Sequence, residues 1–209
     1  MGPGPISSKY GALYSNCYAK GTKMSSQNII VDIFYKVATG SKKVRTLLTP
    51  IGFSFFFIFI GLLIFLSLWV DGLFGFHQLL NKPLNIAIAL PVLIFGFTLI
   101  LWSILHFLEV KGTPVPFNPP PKLVITGPYA YVRNPMLSGV FITLFGLGIF
   151  LQSFSLFFIF VPLFILINYI ELKTIEEIEL EKRLGKEYLE YKRRIPMFFP
   201  RKKRKSEGK

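Results

Sequence analysis

The chain has 209 residues, 52% of them hydrophobic, with 23 Phe and a net charge of +13. A soluble domain carries about 25% charged residues. Here the share is 17% and the apolar residues fall in long blocks, which excludes an ordinary soluble globule. One cysteine, Cys17, excludes an intrachain disulfide and a cysteine-built metal cage, so no metal site is expected.

Residues 1–49 read as a basic cytoplasmic segment outside the main domain. No apolar core of a signal peptide precedes Asn28, and the Gly-, Ser- and Tyr-rich stretch 1–27 is expected to lack fixed structure. Ile30, Ile33, Phe34 and Val37 follow helical spacing, which predicts an interfacial amphipathic helix over 28–39.

Three apolar blocks follow within the domain 50–209. Ile51 to Val70 holds no Asp, Glu, Lys or Arg, and its 20 residues suit a hydrocarbon core of about 30 Å. Leu84 to Leu108 is a second uncharged run, interrupted by Pro91. Met136 to Ile170 is too long for one helix and divides at Gln152-Ser153 into a hairpin with arms somewhat short for full spans. The fold class is therefore an all-α integral membrane protein with about four transmembrane helices, the last two a hairpin, and a cytoplasmic C-terminal amphipathic helix.

Four spans place 23 of the 24 Lys and Arg residues on one side, which the positive-inside bias makes the cytoplasm for both termini. The charge thus needs no nucleic acid partner. The tail RKKRK (201–205) either meets anionic membrane lipids, at roughly 1 kcal/mol per residue, or is a solvated basic tail. His77 and His106 are isolated and read as packing residues.

Two polar segments on that side are richer than linkers need be. Residues 109–135 contain six prolines before Pro135, so the segment is a stiff, extended loop. Asn134-Pro135 reads as an N-cap with Pro at the first helical position. The helix starting there directs its free N–H groups back at the loop, where Arg133 adds a positive charge. That suits a carboxylate or phosphate as well as it suits a plain capped helix with an anchoring Arg.

Over 171–195, Leu172, Ile175, Ile178, Leu184, Tyr188 and Tyr191 form one stripe of a predicted helix. Glu179–Arg183 and Glu190–Arg194 are i,i+4 pairs, and Gly185 is a weak point. Glu176 and Glu177 stand close to the bilayer, where carboxylates usually have a partner or a task.

The stretches GTPVPFNPPPKLVITGPYAYVRNPM (112–136) and EEIELEKRLGKEYLEYKRRIPMFFP (176–200), in that order around an apolar hairpin, resemble the isoprenylcysteine carboxyl methyltransferase and phospholipid methyltransferase superfamily. The resemblance runs over roughly 50–209. It implies an S-adenosyl-L-methionine-dependent membrane enzyme whose cofactor pocket is built without a Rossmann domain. Gly146 and Gly148 accordingly read as helix-packing positions and not as a phosphate loop.

By the same resemblance the cofactor contacts fall on Lys122, Leu123, Val124, Tyr129, Asn134, Pro135, Met136, Leu137 and Glu176. Arg133 and the helix start would take the cofactor carboxylate, and Glu176 its cationic part. Arg133, Glu176 and Glu177 are the candidate catalytic set. The superfamily often has His at the position of Asn134 and Tyr at that of Leu137. An Arg that meets a carboxylate acceptor in the prenylcysteine enzymes is replaced by Leu172, with Lys173 beside it as the candidate substrate contact.

The implied acceptor is lipidic, first the carboxyl of a C-terminal prenylcysteine and alternatively a phospholipid or small hydrophobic amine. An α-carboxyl with a pKa of about 3.5 is already ionised and needs no base. An amine must lose a proton, which makes Glu176 or Glu177 the base. Two other classes are a non-enzymatic membrane scaffold or channel and a sterol-type reductase. The spans offer almost no polar lining for a channel, and no nicotinamide site is identifiable.

Overall fold

A computed structural model describes residues 31–33, 35–36, 42–76, 79–109 and 122–200. Residues 1–30, His77, the 110–121 part of the proline-rich loop and the basic tail 201–205 lie outside the described residues, and with them the expectations placed there. Among the described residues there are helices and no strands.

Helix α1 runs Lys42–Phe74 and α2 Leu84–Glu109, both continuing through the prolines within them, Pro50 and Pro91. Helix α3 is Pro135–Phe150. The next helix, α4, runs Leu156–Leu184 and contains two π-helical segments, Leu156–Phe160 and Leu172–Glu176. Gly185, at φ +60°, separates it from α5, Lys186–Arg194. Helices α1, α2 and α4 are long and apolar enough to cross a membrane, and α3 is a shorter apolar helix. The hairpin arms thus differ: at 1.5 Å per residue, the 16 residues of α3 reach only about 24 Å, while α4 spans and continues beyond. The C-terminal amphipathic stretch is no separate helix over 171–195. Its first half extends α4, and Gly185 breaks the expected stripe.

The protein is an integral membrane protein whose outer face is apolar. Phe55, Phe57 and Ile58 of α1 are 67–72% exposed, as suits a lipid-facing surface. Helix α3 is enclosed instead. Leu144 is 2% exposed, and with Leu63, Phe141, Leu156, Val161 and Phe164 it forms the core.

Neighbouring helices run antiparallel, and small residues let them close. A Cβ on Gly96 would lie 2.9 Å from Thr143 N and 3.0 Å from Gly139 O, so α2 and α3 meet backbone to backbone. Gly146 lies against Val92 and Leu93, and Gly148 against Phe157, the packing role read from the sequence.

The hairpin turns at 151–155 around Gln152, whose φ is +59°. Asp71 at the end of α1 holds this turn: it accepts from Ser153 Oγ and from Ser155 N at 2.8 Å. Gln152 Oε1 accepts from Leu80 N at 3.0 Å, which ties the turn to the α1–α2 connection. The opposite end of α3 is thereby placed against α2 and α4, where the site lies.

Near the N-terminus, residues 31–33 and 35–36 are helical and lie against the far end of α4. Val31 is buried, Asp32 pairs with Lys182, and Lys182 Nζ sits 4.5 Å from the Tyr35 ring centroid.

Candidate active site

The loop leaves its undescribed part at Lys122 and enters a 3-10 turn, Gly127–Ala130. Gly127 is required there: its φ is +57°, and a Cβ would collide with the His106 ring. His106 Nδ1 lies 2.9 Å from Trp102 O, so this histidine packs and orients. The turn presents Tyr129 edge-on to Phe107, with ring centroids 5.2 Å apart.

Asn134 occupies the N-cap position with Pro135 following, yet its side chain makes no capping bond and lines a cavity instead. The backbone N–H groups of Arg133 and Asn134 donate to Pro196 O at 2.8 Å and Met197 O at 3.1 Å. The chain after α5 therefore closes over the start of α3. Phe198 continues into the core against Phe141.

A cavity of about 280 Å³ lies beneath this closure. Of the residues singled out from sequence, Lys122, Leu123, Val124, Tyr129, Arg133, Asn134, Met136, Leu137, Glu176 and Glu177 all line it. Tyr129 and Glu176, 47 positions apart, share one space. Pro135 is buried behind the lining. Lys173 is not in the lining; it is exposed, with Nζ 3.3 Å from Tyr169 OH.

The lining also includes Tyr188 and Tyr191 of the expected stripe, and Phe56, Phe107, Asn168 and Glu171, which the sequence motifs do not single out. Asn168 and Glu171 carry a signal, as polar residues where the last apolar run ends. Phe56 and Phe107 carry none, being two of 23 phenylalanines.

The adjacent glutamates differ sharply. Glu177 is 4% exposed and bridges two cations: Arg133 Nη1 at one oxygen and Lys192 Nζ at the other, the latter at 2.6 Å. Glu179 pairs with Arg183 at 2.9 Å and Glu181 with Lys192 at 2.7 Å. Among the described residues, Glu176 and Glu171 have no such cationic partner within ion-pair distance. The π segment Leu172–Glu176 sets this arrangement, since π turns re-aim side chains within a helix and recur at functional sites.

Helix α5 completes the wall. Tyr188 OH lies 3.3 Å from Arg133 Nη1, and Tyr191 OH donates to Tyr129 O at 2.7 Å. Burial pushes the hydroxyls of Tyr129, Tyr188 and Tyr191 well above the ordinary tyrosine range, and the Arg133 charge offsets this only in part at Tyr188 and Tyr191, so all three stay protonated. Two buried donors in the lining residues, Tyr129 OH and Arg133 Nε, have no protein partner.

Residues 84–187 match the family model for phospholipid methyltransferases, and this part of the chain belongs to that family, within the isoprenylcysteine/phospholipid methyltransferase membrane superfamily. The family's description is of methyltransferases that act on lipid-type substrates, a class whose usual methyl donor is S-adenosylmethionine. It is also similar to the nickel-cobalt-cadmium resistance protein NccN of Alcaligenes xylosoxydans xylosoxydans, 34% identical over 101 residues that cover 48% of this chain and 43% of the relative. The chain thus matches less than half the length of that relative. No solved structure matches.

Proposed function

We propose that the cavity binds S-adenosylmethionine and that the protein transfers its methyl group to an amine-bearing lipid. One observation carries the cofactor half of this reading. The buried donors Tyr129 OH and Arg133 Nε lack protein partners, and their residues line the same cavity as Glu176 and the start of α3. Buried donors are rarely left unpaired, and a zwitterion with an anionic and a cationic end answers both sides.

Arg133 Nε and the first N–H groups of α3 would hold the carboxylate, with Tyr129 donating beside them. Glu176 would hold the cationic end, and Phe107 and Leu137 would exclude water. When bound, the cofactor supplies an electrophilic methyl on a sulfonium. The residues contribute alignment in a water-poor space, an effect that can lower a barrier by several kcal/mol.

The choice of acceptor follows from charge. A carboxylate acceptor would meet Glu171 and Glu176, neither balanced by a cation among the described residues, and Leu172 stands where an Arg would be needed. Lys173 points elsewhere. An amine turns the same wall into an asset: Glu171 attracts the ammonium and Glu176 accepts its proton before attack. Glu177, already held by Arg133 and Lys192, is a support and not the base. On this reading an amine is the preferred acceptor and the prenylcysteine carboxyl the alternative.

The test is thermal unfolding in detergent with S-adenosylhomocysteine. The melting temperature of the native protein should rise, and Glu176→Gln should remove the rise while leaving ligand-free unfolding nearly unchanged. An unshifted native protein would favour a scaffold. Labelled methyl transfer decides the acceptor: an N-methyl label survives alkali, whereas an ester label leaves as methanol.

A further inference from the structure

We infer that Lys192 is a positioning residue for the anionic end of the bound ligand, acting through Glu177 on Arg133. The inference rests on the cofactor reading above and concerns a residue outside the family match, which ends at 187.

Lys192 reaches Glu177 only because Gly185 breaks the helix and turns α5 back. In an unbroken helix, residues 15 apart would stand about four turns from each other. Its ammonium bridges Glu177 Oε2 at 2.6 Å and Glu181 Oε1 at 2.7 Å. The other oxygen of Glu177 holds Arg133 Nη1. Tyr188, one turn before Lys192 on the same face of α5, lies 3.3 Å from that same nitrogen. Nη1 is thus pinned from two sides by α4 and α5, while Nε of the same guanidinium is buried and unpartnered.

Charge explains why a lysine is needed. Arg133 and Lys192 against Glu177 and Glu181 make a neutral cluster. Without Lys192 the cluster carries one net negative charge beside the seat of a carboxylate, and Glu177 keeps Arg133 as its one cation among these four. Lys192 has a side chain 34% exposed, so solvent screens its pairs in part. Its effect falls on the field at Arg133.

A purely structural lysine would weaken every ligand alike, whereas a positioning lysine discriminates by charge. Binding of S-adenosylhomocysteine and of its decarboxylated analogue should be compared in the native protein, Lys192→Met and Lys192→Arg. Lys192→Met should bind the carboxylate-bearing ligand roughly tenfold more weakly, the order of effect a unit charge exerts in a part-buried site. The analogue should change little, and Lys192→Arg should restore most of the loss. Equal weakening of both ligands, or no weakening, overturns the inference. Native protein that binds neither ligand overturns the cofactor reading itself. The relay is then read without ligand, from the melting temperatures of Lys192→Met, Arg133→Met and the double variant. Non-additive shifts support it, and additive shifts refute it.

Discussion

The two ends of α3 are both polar caps on an apolar bundle, and they treat acids in opposite ways. At the hairpin tip one carboxylate, Asp71, spends both oxygens on the turn, accepting from Ser153 Oγ and Ser155 N. At the other end five glutamates crowd residues 171–181. Three of them are matched by Arg133, Arg183 and Lys192, and Glu171 and Glu176 are left facing the cavity. An acid whose bonds are all internal fixes a fold. One left unbalanced inside a cavity waits for a ligand.

Substitutions should separate these classes. The largest effect is expected at Glu177→Gln, which strands the part-buried Arg133 charge. Breaking a buried pair costs about 3–5 kcal/mol, so denaturant unfolding should show a stability loss of that order together with loss of ligand binding. Asp71→Asn should cost about 1–2 kcal/mol by weakening charge-assisted bonds at the turn, yet leave the S-adenosylhomocysteine shift intact. If it abolished ligand binding, the two ends would not be independent. The smallest effect belongs to Glu190→Gln. Its pair with Arg194 measures 4.0 Å between side chains 69% and 79% exposed, and its removal should leave unfolding and binding unchanged within error.

Lys192 adds a pH contrast. Burial alone lowers its pKa, but the hydrogen bonds and charges of Glu177 and Glu181 outweigh this and hold it above 10.5. A raised cationic pKa stabilises below the unfolded value and is lost only as pH climbs through the folded one. Lys192 therefore keeps its charge toward Glu177 and Glu181 across the neutral range.

The site residues that sequence alone brings forward, from Tyr129 and Arg133 to Glu176, belong to polar segments that contrast with apolar runs on either side. Phe56 and Phe107 come from within such runs, where one phenylalanine looks like the next and only tertiary packing selects it. The spans were readable for the same reason of contrast, by length and lack of charge. The stripe Leu172 to Tyr191 assumed a single unbroken period of 3.6 residues. The π segment at Leu172–Glu176 and the turn at Gly185 both violate that period; the turn falls at the glycine read as a weak point, whereas nothing in the apolar spacing announces the π segment. Lys173, taken from the resemblance as the neighbour of Leu172, lies outside the cavity lining, since adjacency along the chain does not give the side of a helix.

That change of winding makes the last helix a two-part shaft with a phase offset built in at the membrane boundary. The lower part answers to lipid and to α3, the upper part to the cavity, and the wider turn reconciles the two. Shortening the chain by one residue within 172–175 would let ordinary α winding resume, swing Glu176 and Glu177 round the axis and leave Glu171 and the membrane anchor untouched.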